Sequence, residues 1–256
     1  MAPRSGEPGS APERRFFLAG RPEAGRAELH GEDARHALRV LRLGVGDRLV
    51  GLDGHGGVWP MAIDSVDRDS VEVRQAGEGR IEPPYGAPGS VLPRIEISTA
   101  WPRGAAFEEM LDRLTQLGAA AIRELSCERA GPGRGPLTAA RRERAERILR
   151  EACKQSGRAW LPSLDAPEDA RPAAVLLLDP EAELGLAGWA AGNRGVDGPV
   201  TVLVGPEGGF TPAEREAWLS RGAVPVRVGP HVLRIETAAE AAMAVLAAAC
   251  LRPRRT

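Results

Sequence analysis

Cysteine is scarce in this sequence. Cys127, Cys153 and Cys250 are the only three, at irregular spacing. An odd, sparse set gives no disulfide framework and no metal-ligand pattern. The four histidines, His30, His36, His55 and His231, are equally scattered, so no metal site is expected. The cysteines read as small buried apolar residues. Charge of one sign is also lacking: 34 Lys and Arg face 35 Asp and Glu, a formal net charge of −1. A strongly basic nucleic-acid binder is thereby excluded, and any such surface must be a local patch balanced elsewhere. Aromatics are only 4% of residues, which leaves few rings for base stacking. The most apolar stretch, 238–251, is too short to cross a bilayer. Residues 1–13 are rich in Pro, Gly, Ser and Arg, without an apolar run, and read as a disordered tail rather than a signal peptide. A soluble, cytoplasmic protein with no membrane partner is expected.

What is present is ordinary globular material: 256 residues, 43% hydrophobic and 27% charged, enough for one large domain or two modest ones. The region from Arg14 to about Arg80 reads as small and β-rich. Strand candidates at 48–53, 58–63 and 71–73 are separated by Asp-Gly and Gly-Gly turns, with a short helix over Asp33–Leu43. A Pro- and Gly-rich linker follows at 82–93. From Arg94 onward strands and helices alternate. Phe107, Met110, Leu111, Leu114 and Leu117 recur at helical spacing and stop at Gly118. A long charged helix covers 138–156. The five-residue apolar runs 174–178, 200–204 and 224–228 have the character of strands covered on both faces, as in a parallel sheet flanked by helices.

Two loops carry the sharpest signal. The first, Gly205-Pro206-Glu207-Gly208-Gly209-Phe210, leaves a buried strand. It enters a helix with Thr211 as N-cap, Pro212 at the first position and Glu214 three residues after the cap. Glycines at a strand's C-terminal end let a ligand lie against bare backbone. The loop lacks the Gly-Lys-Ser/Thr ending of a phosphate-binding loop and is not Gly-x-Gly-x-x-Gly, so a tight turn without ligand stays open for it alone. The second loop, Gly229-Pro230-His231-Val232-Leu233-Arg234, again places Gly-Pro at a strand end, before Glu236-Thr237 opens a helix. If the two strands are neighbours, both loops face one crevice. Asp179-Pro180 ends a third strand similarly.

Residues 204–214 and 228–238 resemble the two signature loops of the 16S ribosomal RNA (uracil-N3)-methyltransferase family, of the SPOUT class. Glu151–Arg158, Arg15-Phe16-Phe17 and His36–Arg42 are similar to further stretches of it, and the resemblance runs in order over nearly all of 14–251. It implies an α/β fold with a SPOUT-type, trefoil-knotted methyltransferase domain over 94–256, preceded by a PUA-like RNA-binding domain over 14–81. It also implies a homodimer, S-adenosylmethionine (SAM) as cofactor, and small-subunit ribosomal RNA as partner. Family members usually carry lysines before and within the helix at 107–117, followed by Glu-Leu-Gly; here Ala106 replaces the first lysine, Arg113 stands at the second, and Gln116-Leu117-Gly118 replaces Glu-Leu-Gly, which bears on RNA contacts or substrate identity. Another RNA target, or an RNA-binding protein with a degenerate SAM pocket, are the alternatives.

Site roles follow from that resemblance. Leu178, Val204, Gly205, Pro206, Gly208, Gly209, Val228, Gly229, Pro230, Val232 and Leu233 are the expected cofactor-binding residues. Arg234 is the main catalytic candidate, since a guanidinium can stabilise charge on a uracil losing its N3 proton; an ion pair with Glu236 or Glu207 is the alternative. Glu207 is the second candidate, either facing the sulfonium or acting as base; a carboxylate accepting N–H bonds within its own loop is its alternative. Arg15, Arg39 and Arg42 are RNA-contact candidates, the last two on one helix face by their spacing of three; a solvated surface is the other reading. Phe16 and Phe17 read as core. His36 and His231 read as structural or solvent-facing, and Glu236 and Thr237 as helix caps.

Overall fold

The computed structural model describes residues 13–131, 136–164 and 172–252. The tail expected over 1–13 therefore lies, but for Glu13, outside the described residues. The chain forms two compact units, Met1–Glu82 and Pro83–Thr256.

The first unit is a six-stranded sheet built from β1 (Arg15–Phe17), β2 (Arg26–His30), β3 (Arg48–Leu52), β4 (Gly57–Val66), β5 (Ser70–Gln75) and β6 (Arg80–Ile81). The order is β1-β3-β4-β5-β2, with β6 on β4; β1 and β3 pair in parallel, the rest antiparallel. The β3–β4 hairpin turns on Asp53, whose carboxylate accepts the N–H of His55 and of Gly57, each at 2.8 Å. Burial alone would raise the Asp53 pKa. Those two bonds and Arg21 outweigh it and hold the carboxyl below its ordinary value. Phe16, Leu29, Ala34, Leu49, Met61, Ile63, Val71 and Val73 make the core, with Phe17 also buried.

The expected helix is present but is not regular. α1 (Gly31–Arg35) passes directly into a π-helical turn, His36–Val40. It ends at Val40, and Arg42 lies beyond it with a φ of +53°. Arg39 and Arg42 therefore do not share a helix face: the wider turn and the left-handed residue break the regular spacing that would have aligned them.

The second unit is a five-stranded, wholly parallel sheet of β7 (Ile95–Thr99), β8 (Ala121–Glu124), β9 (Ala174–Leu178), β10 (Val200–Val204) and β11 (Val224–Val226), in the order β11-β9-β10-β7-β8. Every residue of β10 is buried, as its apolar run requires. One face packs on α2 (Ala105–Leu117), α3 (Ala139–Ser156), α4 (Leu186–Gly192) and α6 (Ile235–Cys250). Phe107, Met110, Leu111 and Leu114 of α2 are buried there, each burial stabilising by roughly 1.5–3 kcal/mol. The other face carries Leu177 and Leu203 against Trp218 and Leu219 of α5 (Pro212–Leu219).

Two charged groups sit deep in this unit. Glu96 of β7 is 2% exposed and is held by Arg94 at 2.7 Å and by Arg123 of β8. Arg158, 7% exposed, donates to the carbonyls of Thr115 (2.9 Å), Ala119 (2.7 Å) and Trp160. It thereby adds a charged donor at the carbonyl end of α2, where the Thr115 carbonyl also accepts Gly118 N–H at 3.1 Å. Its guanidinium also lies 4.9 Å from the Tyr85 ring. Residues 83–93 belong to this unit: Gly86 N–H donates to Leu92 O at 3.0 Å, and Ser90 and Leu92 are buried.

Candidate functional site

The C-terminal ends of the parallel strands carry the loops that the sequence singles out. β10 ends at Val204, and the chain turns at once, Gly209 N–H donating to Pro206 O at 2.8 Å. The Phe210 ring folds back over Gly205, so a β-carbon there would stand 3.0 Å from it. Gly209 has a φ of +66°, a conformation that side chains disfavour. Two outside groups fix the loop. Arg129, in the segment after β8, donates to Gly208 O (2.9 Å) and Phe210 O (3.4 Å). Glu214 closes a reciprocal cap with Thr211 and also accepts the N–H of Glu128 at 2.8 Å. Burial tends to raise the Glu214 pKa, but the N–H bonds from Thr211 and Glu128, with Arg129 nearby, hold it below the usual carboxylate range.

The β9 loop is pinned to its neighbours. Asp179 N–H donates to Val226 O at 3.0 Å, one Asp179 oxygen accepts Glu181 N–H (2.9 Å), and the other accepts Arg215 Nε of α5 (2.8 Å). After β11, Arg227 exchanges backbone hydrogen bonds with Leu184 and Leu186. The chain then runs out through Val228 and Gly229, leaving Val232 80% exposed, before α6 begins with Arg234 at its N-cap.

These three loops surround one cavity of about 290 Å³. Its wall includes Leu178, Val204, Gly205, Pro206, Gly208, Gly209, Val228, Gly229, Val232 and Leu233, together with Glu207. Of the eleven cofactor candidates Pro230 alone is off the wall, and it is exposed. The expectation that the two Gly-Pro strands are neighbours fails: β9 lies between β10 and β11. The crevice survives because the β9 loop completes it from the middle. A β-carbon on Gly229 would have nothing within 4 Å, so the chain's own packing does not call for glycine there.

Arg234 is not on the wall. It stands between two residues that are, Leu233 and Ile235, with its side chain exposed and its carbonyl accepting Ala238 N–H at 2.8 Å. It occupies the N-cap position expected for Glu236 or Thr237, which fall inside the first turn, and it contributes no side-chain cap. Arg15 pairs with Glu13 at 3.2 Å. Arg39 and Arg42 are exposed, without an ion-pair partner among the described residues. His36 lies 6.0 Å from the Phe16 ring, edge-on, and His231 is an exposed part of the cavity wall. Sequence reasoning misses Arg129, Arg215, Phe210 and Ala238, which also line the cavity. Arg129 could not have been found from spacing, since its acceptors lie 79 and 81 residues away. Asp179 gives a partial signal through its Asp-Pro strand end.

The arrangement suits a small ligand with an apolar body. Leu178, Val204, Val228, Leu233, Ile235 and Ala238 supply apolar walls, and bare glycine backbone supplies hydrogen-bonding groups. Among the described residues no cluster of three or more His, Cys, Asp or Glu could hold a metal ion. No helix among them is long and apolar enough to cross a membrane.

Comparison with known proteins agrees with this geometry. Residues 90–247 match the RNA methyltransferase domain family, and residues 29–75 match the RNA methyltransferase PUA domain. The ribosomal RNA small subunit methyltransferase E of Synechocystis sp. is 32% identical over 229 residues, covering 85% of this chain and 70% of that protein. Its namesake in Mycobacterium bovis is 31% identical over 244 residues, 89% of this chain and 88% of that one. Among solved structures, a methyltransferase from Legionella pneumophila in complex with SAM superposes with a TM-score of 0.78 at 28% identity, over 93% of this chain and 98% of that one. The small subunit methyltransferase E of Neisseria gonorrhoeae, also bound to SAM, gives 0.73 at 25% identity, over 91% and 95%. With a domain match over more than half its length and relatives more than 30% identical over most of it, the chain belongs to the ribosomal RNA small subunit methyltransferase E family.

Proposed function

We propose that this protein is a SAM-dependent methyltransferase that methylates N3 of a uridine in small-subunit ribosomal RNA. The observation that carries the reading is the closure of three strand-end loops, after β9, β10 and β11, around one apolar-walled cavity with an unfilled space over Gly229. The residues present fit an adenosyl group: its flat body needs apolar walls, and its polar edge needs exposed backbone. Val204, Gly205, Gly208, Val228, Gly229 and Leu233 would hold it. Bound SAM supplies an electrophilic methyl on a sulfonium.

What the chain itself must do is hold the uracil edge and lower the cost of removing the N3 proton. Arg234 is placed for the second task. Its exposed guanidinium leaves the chain between two cavity-wall residues, and a uracil losing its N3 proton spreads negative charge onto its carbonyl oxygens. Glu207, exposed on the opposite loop, is the carboxylate to face the sulfonium or to accept the proton. Arg39 and Arg42 contact RNA phosphate, with Arg15 as a third candidate already engaged by Glu13. An RNA-binding domain over 14–81, a knotted methyltransferase domain over 94–256, a homodimer, and work in the cytoplasm on the small ribosomal subunit complete the reading. The small residues Ala244 and Ala248, exposed on α6, suit close packing against a second copy.

Titration calorimetry with SAM tests the pocket, and nucleoside mass spectrometry of ribosomal RNA from a deletion strain tests the product. Loss of 3-methyluridine is expected. Absence of SAM binding would reduce the chain to an RNA-binding protein, and loss of a different methylated nucleoside would move the target. Arg234→Ala is expected to abolish transfer while SAM affinity stays within about threefold, since Arg234 lies off the cavity wall.

A further inference from the structure

The segment that follows α1 exposes apolar residues by an unusual backbone path. In the π-helical turn His36–Val40, Leu41 N–H donates to His36 O at 3.0 Å. Arg42 then takes a φ of +53°, which a residue with a β-carbon adopts only at a cost. The reversal sends Leu43 into the core, 5% exposed, with its N–H on Ala37 O at 2.9 Å. On the outside it leaves Val40 66%, Leu41 37% and Val45 70% exposed. The far side of the bend is fastened as well. Gly44 N–H donates to the Asp47 carboxylate at 2.9 Å, Gly46 N–H to Ile63 O at 2.9 Å, and Ile63 N–H to Asp47 O at 3.0 Å. The apolar side chains are thus held outward by a fixed backbone.

Exposed Arg39, Arg42 and Arg48 lie beside them along the chain. Neither Arg39 nor Arg42 has an ion-pair partner among the described residues, and Asp47, the one carboxylate in 40–47, is engaged by Gly44 N–H. The occupant must therefore be anionic and also carry apolar faces. Single-stranded RNA has both, phosphates along its backbone and flat base faces when unstacked. This unit also matches the RNA methyltransferase PUA domain over 29–75.

We infer that Val40, Leu41 and Val45 form an apolar knuckle that packs against unstacked bases of the RNA substrate, while Arg39 and Arg42 take the flanking phosphates. The inference rests on the reading of the chain as an RNA methyltransferase and adds to it a base-contacting surface.

Apolar and ionic contacts respond differently to salt, which gives a direct test on the full chain. The probe is a fluorescein-labelled single-stranded RNA of mixed sequence, followed by anisotropy over a salt series. The triple variant Val40→Ser, Leu41→Ser, Val45→Ser is expected to weaken RNA binding about tenfold, with the slope of log K against log salt unchanged. The double variant Arg39→Gln, Arg42→Gln is expected to flatten that slope by about 1.4, roughly 0.7 for each phosphate released. All five side chains are exposed, so the fold should stand, and circular dichroism melting checks that. Unaltered RNA affinity in the triple variant overturns the inference. So does a changed molar mass by light scattering at unaltered RNA affinity, which would make the knuckle a protein interface. SAM calorimetry on the parent chain keeps the two readings apart: no heat with SAM but weakened RNA binding in the triple variant sinks the enzyme and leaves the knuckle standing.

Discussion

Gly229 and Gly205 sit on the same cavity wall, yet substitution should act on them by different routes. A β-carbon on Gly229 meets nothing of the protein within 4 Å. Gly229→Ala should therefore leave the melting temperature within about 2 °C of the parent while weakening SAM binding at least about tenfold, since the added methyl group occupies cavity space. Differential scanning fluorimetry and calorimetry read the two effects separately. Gly205→Ala drives a β-carbon to 3.0 Å from the Phe210 ring, so stability and affinity should fall together. Arg158 is different again, because its three acceptors are backbone carbonyls, the Thr115 and Ala119 bonds buried and the Trp160 bond half-buried, with no carboxylate among them. Arg158→Met should cost on the order of 3 kcal/mol in urea unfolding, as those carbonyls lose their donor. The glycines were legible because they recur at strand ends. The Arg158 clamp was not: its acceptors at the end of α2 and just beyond it lie at sequence separations of 43 and 39.

At the scale of elements, the α5 cap connects stability to the site. Thr211 and Glu214 close the helix start, and Glu214 also reaches Glu128 in the segment that carries Arg129. Thr211→Ala should cost about 1 kcal/mol of unfolding free energy. The pH dependence has a definite sign. The Glu214 pKa is lowered in the folded state, so its contribution is present above the unfolded value near 4.5 and is lost as pH falls through the folded value. Glu214→Gln should therefore narrow its stability gap from the parent in acid melts below pH 4.5. Cys153 has the opposite sense. Burial pushes its thiol up to about 11, despite Arg158 and Arg150, from an ordinary value of 9.0. Its contribution is full below pH 9 and fades as pH climbs towards 11, where the unfolded thiol ionises first.

The strongly periodic elements were legible: the α2 stripe, the Thr211 start of α5, and the apolar runs of β9 and β10 match their structural counterparts. Two kinds of element were not. β1 and β2 are short and take their identity from partners across the sheet. α4, Leu-Ala-Gly-Trp-Ala-Ala-Gly, has two glycines in seven residues and is held by burying Leu186, Trp189 and Ala190 against the core shared with α6.

At the scale of the whole molecule, the prediction concerns assembly: light scattering should return twice the 27.1 kDa chain mass; a stable monomer with full methyl transfer would remove the homodimer from the proposal. The sequence alone determined a parallel α/β second half and the identity of the glycine-rich loops that line the cavity. Period and glycine placement are local properties, and the chain writes them residue by residue. Tertiary structure alone decided that β9 separates β10 from β11, that Arg129 and Arg215 hold the loops, and that Arg234 stands beside the cavity rather than on its wall. Strand order and long-range donors are set by which surfaces bury one another, and no window along the chain contains that information.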